Sequence, residues 1–226
     1  MNLTQIYETL LSRYGEPHWW PTRSRVAGEV PYEVIVGAVL TQNCAWSNVE
    51  KALANFGERL SPDFVLSSAP AELIEIIRPA GFFNQKVAYL KAVTEWFGKY
   101  GFDVPTVRRE SLEKLRAELL STKGIGRETA DAILLYAFGL PTFVIDAYTM
   151  RLCERLPIPA GNGYNNVKAY FESRLPRSAE LFNNFHALIV INAKAYCRKK
   201  PLCGGAGAAL ACPLADMCIS HSGNGQ

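Results

Sequence analysis

Histidine is scarce in this chain: three residues, His18, His186 and His221, stand far apart. No cluster of them supplies a ready general acid, and each reads more naturally as a loop or packing residue than as a catalyst. Only His18 has a notable neighbour, Trp19. Long apolar runs are missing too. None approaches the length needed to span a bilayer, and the N-terminus has no apolar stretch of the secretory kind. A cytoplasmic location is therefore expected, and association with a nucleoid would leave the same signature. Charge of one sign is not in excess, with 24 Lys and Arg against 21 Asp and Glu, a net charge of +3 and a pI near 8.5. That balance permits nucleic acid as a partner without demanding it. No repeat of fixed period occurs. Strand-like patterning is confined to Thr142-Phe143-Val144-Ile145, too short to seed a sheet.

What remains is helical. Apolar residues recur at three- and four-residue spacings over residues 4–14, 31–41, 46–57, 70–78, 84–100, 109–120, 127–138, 146–156, 164–175 and 178–197. Leu112, Leu115, Leu119 and Leu120 mark one face; Ala130, Ile133, Leu134 and Ala137 mark another. Pro31, Ser61-Pro62 and Ala69-Pro70 sit where helices open. Gly81, Gly101, Gly139-Leu140-Pro141 and Pro157-Ile158-Pro159 punctuate loops. With 49% hydrophobic residues over 226 positions, the chain can build one large domain or two small ones. The expected fold class is all-α.

The segment Thr122-Lys123-Gly124-Ile125-Gly126-Arg127-Glu128-Thr129-Ala130, followed by Val144-Ile145-Asp146, carries the most information. A Gly-Ile-Gly turn that opens a helix leaves backbone N–H groups pointing outward, an arrangement suited to phosphate oxygens. It is neither a dinucleotide fingerprint nor a Walker loop, because the Gly-x-x-Gly spacing and the Lys-Ser/Thr pair are absent. Such turns also occur in proteins that bind no phosphate, so the turn needs the support of its surroundings. Asp146 has two readings: an N-cap for the helix that follows it, or a carboxylate that works on whatever the phosphate grip delivers.

Six cysteines in a chain without secretory features argue for metal or buried thiols before disulfides. Cys44 and Cys153 stand alone in apolar helical contexts and read as packing residues. Cys197, Cys203, Cys212 and Cys218 form a C-x5-C-x8-C-x5-C array near the C-terminus. Four thiolates so placed can close on one metal centre. Zinc and iron–sulfur clusters both accept four thiolates, but the lack of CxxC pairs tilts the reading to a 4Fe–4S cluster. The intervening Gly204-Gly205-Ala206-Gly207-Ala208-Ala209 cannot build a core, and makes sense as a loop whose flanks are pinned to metal.

Taken together, the glycine turn, the aspartate and the cysteine array resemble the helix-hairpin-helix DNA glycosylases of the endonuclease III family. The resemblance extends to Pro31-Tyr32-Glu33-Val34-Ile35-Val36, to Leu40-Thr41-Gln42-Asn43 and to Arg151, and so covers nearly the whole chain. It implies two helical domains. A six-helix barrel with the hairpin would occupy residues 25–140, and residues 1–24 plus 141–226 would form a second domain carrying the cluster, with the active-site cleft between them. It also implies a partner, double-stranded DNA containing a damaged base, with no membrane association and a monomeric enzyme. Asp146 matches the family's catalytic aspartate, which stabilises the oxocarbenium-like sugar and orients or deprotonates the attacking water.

Glu128 is a departure. The bifunctional members carry at this position a lysine that forms a Schiff base and then cleaves the strand by β-elimination, which a carboxylate cannot do. The resemblance therefore implies a monofunctional glycosylase, or one with little lyase activity. Lys123 is an alternative amine, though phosphate contact in the turn is its more natural use. Glu128 itself is either a surface residue favoured by the helix dipole or a proton carrier near Asp146.

Several features are similar to the 3-methyladenine glycosylase branch: the string from Gly124 to Ile133 including Glu128, the Trp19-Trp20-Pro21 triplet, and Gln42-Asn43 followed by Trp46. There Trp19, Trp20, Pro21 and Trp46 would line the pocket of an extruded base; otherwise they plug one end of a helical core. An alkylated purine is cationic and its glycosidic bond is weakened, so an aromatic box attracts it by stacking and cation–π terms worth ~1–2 kcal/mol each. The cysteine array departs from that branch, whose members need not carry one. Gln42 and Asn43 would fill the gap left by the flipped base, Asn43 aligning better with the inserted residue. Lys123, Gly124, Ile125, Gly126, Arg127, Arg151, Lys194, Arg198, Lys199 and Lys200 would contact the DNA backbone. The alternatives are an endonuclease III-like enzyme for oxidised pyrimidines and a catalytically silent DNA-binding module.

Overall fold

The computed structural model describes residues 2–23, 30–202 and 212–219. Among them every regular element is helical, and the chain divides into two compact units: Met1–Trp19 with Pro141–Gln226, and Trp20–Leu140. The boundary expected after residue 24 falls outside the described residues.

The unit Trp20–Leu140 is organised around helix α2, Val30–Leu40. Nine of its eleven residues are buried, as the run Val34-Ile35-Val36 requires of a helix apolar on every side. Around it pack α3 (Trp46–Phe56), α6 (Phe83–Gly98) and α9 (Arg127–Ala132), with α4 (Pro62–Ser67) and α5 (Pro70–Ile77) completing that side. Ser61 caps α4 by accepting from the Phe64 N–H at 3.2 Å. The helix expected over residues 109–120 begins three residues later, and a shorter helix outside the expected range precedes it. Asp103 caps a short α7 (Val104–Arg108), and Ser111 then caps α8 (Leu112–Ser121). A single turn is too brief to show periodicity, which is why the sequence pattern does not reveal α7.

The helix expected over residues 127–138 changes character midway. After Ala132 the backbone widens to a π-turn over Ile133–Ala137 before Gly139 turns the chain at φ +64°. Helices α8 and α9 flank the Thr122–Gly126 turn and are clamped together: Arg116 donates from Nε to Asp131 Oδ1 at 2.8 Å and from Nη2 to Oδ2 at 3.1 Å. Asp131 is fully buried, so this fork-to-fork pair is shielded from water on the carboxylate side.

In the unit of both termini, α12 (Ala179–Ala195) packs against α1 (Leu3–Tyr14) and α10 (Ala147–Arg155), while α11 (Tyr164–Arg174) supports the chain that enters α10. Its core is aromatic. Phe143 meets Phe171 at 4.6 Å between ring centroids, Phe182 at 5.4 Å and Phe185 at 5.8 Å. The strand-like stretch at residues 142–145 pairs with no strand among the described residues. Side chains of α11 satisfy its backbone instead: Glu172 accepts from the Phe143 N–H at 2.8 Å, and Lys168 donates to the Phe143 carbonyl at 3.3 Å and to the Thr142 hydroxyl. This staple delivers Asp146 to the start of α10.

Replacing Arg116 by Met removes this fork from the buried Asp131 carboxylate and is expected to destabilise the protein by about 3–5 kcal/mol. Urea unfolding of Arg116→Met beside the wild type measures that loss, and an Asp131→Asn change made in the Arg116→Met background should recover part of it.

Candidate DNA interface and active site

The glycine turn is built as its sequence requires. Gly124 adopts φ +80°, and the ring of Tyr89 from α6 lies across it, so closely that a Cβ placed on Gly124 would come within 2.1 Å of that ring. Glycine is thus demanded twice, by conformation and by contact. Ile125 is buried and anchors the turn, whereas Lys123, Gly126, Arg127 and Glu128 are exposed. Gly126 is the N-cap of α9, and Glu128 lies in that helix's first turn.

The loop after α2 is tied to this turn. Gln42 donates from Nε2 to the Gly124 carbonyl at 2.9 Å and to the Thr129 hydroxyl at 3.0 Å. Its neighbour Asn43 is exposed and held at φ +50°, a left-handed conformation that asparagine tolerates better than most residues. The two amides therefore have different surroundings: Gln42 binds protein, and Asn43 faces out.

Trp20 and Trp46 meet edge to face, with ring centroids 5.3 Å apart at 85°. Trp20 also lies over α2 at Gly37, where a Cβ would sit 3.3 Å from its indole nitrogen. A third aromatic that the sequence did not single out, Tyr136 of the π-turn, reaches Trp20 at 5.1 Å. All three rings are partly exposed, as is Pro21. Trp19 belongs to the other unit, where its carbonyl accepts from Asn183 Nδ2 at 3.0 Å.

Asp146 is the N-cap of α10, and its two oxygens have separate partners. Oδ1 accepts from the Tyr148 N–H at 2.9 Å, the Thr149 N–H at 2.8 Å and the Thr149 hydroxyl at 3.0 Å. Oδ2 lies 3.5 Å from Nε2 of the buried His186. Burial by itself would raise the Asp146 pKa, but the positive character of His186 and the donors of Thr149 outweigh it and hold the carboxyl below its ordinary value. The site therefore presents a carboxylate at neutral pH. His186, a packing residue by sequence, is the neighbour that pattern reading missed, because the 40 residues separating it from Asp146 hide the pairing.

Cys44, expected in a helical packing context, instead lies half-buried in the loop after α2. Burial pushes the Cys153 thiol up to about 12, leaving it unreactive in α10. Cys197, Cys212 and Cys218 line one small cavity with Leu152, Leu156 and Leu214; Cys203 lies outside the described residues. Among the described residues, no three His, Cys, Asp or Glu side chains stand together closely enough to hold a metal ion. The donor set nonetheless fits a thiolate-bound group. Arg155 donates from Nη1 to Cys197 Sγ at 3.0 Å, and Arg151 donates from Nη1 to the Cys197 carbonyl at 3.1 Å, so two guanidiniums face this cysteine. Arg151 is thereby committed to the cysteine loop. Lys194, Arg198, Lys199 and Lys200 are exposed around it.

Residues 36–177 match the HhH-GPD superfamily of base excision DNA repair proteins. The chain belongs to this family. It is similar to a putative DNA repair glycosylase of Methanocaldococcus jannaschii, at 42% identity over 221 residues that cover 96% of this chain and 95% of the relative. Among solved structures it resembles the H. pylori 3-methyladenine DNA glycosylase bound to 1,N6-ethenoadenine. That match has a TM-score of 0.71 and 27% identity and covers 86% of this chain and 98% of the other. An endonuclease III trapped as a covalent intermediate with DNA shares the fold, with a TM-score of 0.75 at 20% identity over 98% of each chain. This protein is a base-excision repair DNA glycosylase of the HhH-GPD family, and its partner is DNA. No helix among the described residues is long and apolar enough to cross a membrane.

The Asp146 cap makes two stability measurements informative. Asp146→Ala removes an N-cap acceptor and is expected to cost about 0.5–2 kcal/mol, while Asp146→Asn keeps an acceptor and should cost less. Because the carboxyl's folded pKa lies below its ordinary 3.8, its ionic contribution is complete above that pH and is lost as pH falls through the folded value. The stability gap between wild type and Asp146→Asn should accordingly close in strongly acidic buffer, as thermal melts across pH would record.

Proposed function

We propose that this DNA glycosylase is monofunctional and removes alkylated purines. The observation that carries the monofunctional part is Glu128: a carboxylate, exposed in the first turn of α9, stands where a lyase needs an amine. In this reading Asp146 Oδ2 faces the sugar, stabilises the positive charge that grows as the glycosidic bond breaks, and orients the water that attacks C1′. Oδ1, fully engaged by α10, holds the carboxylate in place meanwhile. Glu128 is either a surface charge or a proton carrier for the same step.

The substrate class rests on the aromatic group. Trp20, Trp46 and Tyr136, with Pro21 beside Trp20 and Trp19 before it, offer π-faces to a base that has lost its stacking partners. Such faces favour a cationic base over a neutral one. The leaving group of an alkylated purine needs little protonation, which accords with a site whose one close histidine faces the aspartate. Lys123, Gly124, Ile125, Gly126 and Arg127 would hold the phosphate backbone. Arg151 would act on DNA through the cysteine loop that it braces.

The cysteine array fits a 4Fe–4S cluster on Cys197, Cys203, Cys212 and Cys218, with zinc the less favoured occupant. Bound there, the group would supply a rigid pin for the loop and an electron-transfer centre. Arg155 would share the charge of the Cys197 thiolate. The same array favours a second reading, an endonuclease III-like enzyme acting on oxidised pyrimidines.

Base release from methylated duplex DNA distinguishes the two. Wild type is expected to release 3-methyladenine or 7-methylguanine, and Asp146→Asn to lose this by two or more orders of magnitude, on the scale of a lost electrostatic contact to the transition state. Borohydride should trap no enzyme on abasic DNA. Release of oxidised pyrimidines together with trapping would establish the second reading, and binding without any release would leave a silent module. For the cluster, iron and acid-labile sulfide assayed on anaerobically purified protein should each approach four per chain for a 4Fe–4S cluster, and Cys203→Ser should lower both. Zinc without sulfide would overturn that assignment.

A further inference from the structure

Asn192, in the last turn of α12, is almost completely buried at 2% exposure. Its backbone carbonyl accepts from the N–H groups of Tyr196 at 2.8 Å and Cys197 at 3.4 Å, so it anchors the first cysteine of the array. Its side chain is held from α1: the hydroxyl of Tyr14, the last residue of that helix, donates to Asn192 Oδ1 at 2.9 Å. Asn192 also lines the small cavity that Cys197, Cys212 and Cys218 share with Leu152, Leu156 and Leu214.

Among the described lining residues, only Arg155 and Asn192 bring polar side chains other than thiols. Arg155 is fully accounted for, since Nη1 donates to Cys197 Sγ at 3.0 Å and Nη2 to the Lys199 carbonyl at 2.9 Å. The Asn192 amide is only half accounted for. With Oδ1 engaged by Tyr14, Nδ2 remains, and it forms no hydrogen bond among the described residues. A buried amide is costly unless its donors are used. Leucine, with the same branching, would line this wall without that cost, so packing alone does not account for an amide here. Apart from Oδ1 itself, the only side-chain acceptors among the described lining residues are the cysteine sulfurs. The reverse amide orientation would turn an oxygen lone pair toward those sulfurs, which carry negative charge when they hold metal.

We propose that Asn192 tunes the cysteine-bound group by donating from Nδ2 to one of its sulfurs, and that Tyr14 is a positioning residue that fixes the amide's orientation. Hydrogen bonds to the sulfurs favour the reduced, more negative state and so raise the reduction potential. Asn192 adds a neutral donor to the charged one of Arg155, and α1 and α12 together set where it points. The inference rests on the 4Fe–4S reading of the array.

The test is film voltammetry on anaerobically purified full-length protein, with iron and acid-labile sulfide assayed on the same samples. Asn192→Leu is expected to move the balance of the two oxidation states about tenfold toward the oxidised form, the scale of one hydrogen bond. For a one-electron couple that is a potential lower by about 59 mV. Tyr14→Phe keeps the amide and removes only its anchor, so the potential should fall in the same direction by less. A merely structural asparagine would lower the melting temperature or the iron content and leave the potential of the loaded fraction where it was, and that result overturns the proposal. Tyr14 is partly exposed at a helix end and does not share the folding risk of Asn192. An unmoved potential in Tyr14→Phe overturns the proposal even if Asn192→Leu fails to fold. A wild type without iron sinks the cluster reading and this inference with it, whereas full loading with unmoved potentials sinks the inference alone.

Discussion

Everything proposed for this chain's chemistry turns on how one carboxylate is held. Three donors from the first turn of α10 converge on Oδ1 of Asp146, while Oδ2 lies beside His186. The cap geometry depends in turn on an extended stretch that no β-partner supports. Lys168 and Glu172 of α11 take over its backbone hydrogen bonding, and Phe143 roots it in the aromatic core. A carboxylate this constrained does not need to find its orientation when substrate arrives, which is the form preorganisation takes in a small helical scaffold.

The hairpin shows the same economy in the other unit. Its glycine is required because Tyr89 lies where a side chain would be, and Gln42 ties the neighbouring loop to it through two hydrogen bonds. The Arg116–Asp131 fork below holds the flanking helices at a fixed separation. The turn, closed by the Ile125 N–H donating to the Thr122 carbonyl at 3.1 Å, is thus carried by a framework with little freedom to shift.

The helical character, the hairpin and the cysteine grouping were legible because each is written in local pattern: a period near 3.6, a Gly-x-Gly turn, a run of thiols. For Asp146 the sequence offered a cap or a catalyst as rival readings. The structure shows the cap on one oxygen, and the proposed chemistry would use the other, so the two readings are compatible. What stayed hidden depends on distance along the chain. His186 beside Asp146 and Tyr136 beside Trp20 are contacts that only tertiary packing creates. Tyr136 was obscured for a second reason, since a π-turn breaks the very periodicity by which a helix face is read. Helix α7 escaped because a one-turn helix has no period to detect.

That π-turn has a consequence for how the chain tolerates insertion and deletion. Residues Ile133–Ala137 hold one residue more than a regular helical turn would, and Tyr136 meets Trp20 within that widened span. Removing a single residue there would restore the ordinary period and swing each following side chain by about 100° around the axis. The aromatic contact would be lost although no aromatic had been changed, and the glycine that ends the helix would turn the chain in a new direction. Length at this point, more than composition, keeps the rings in phase.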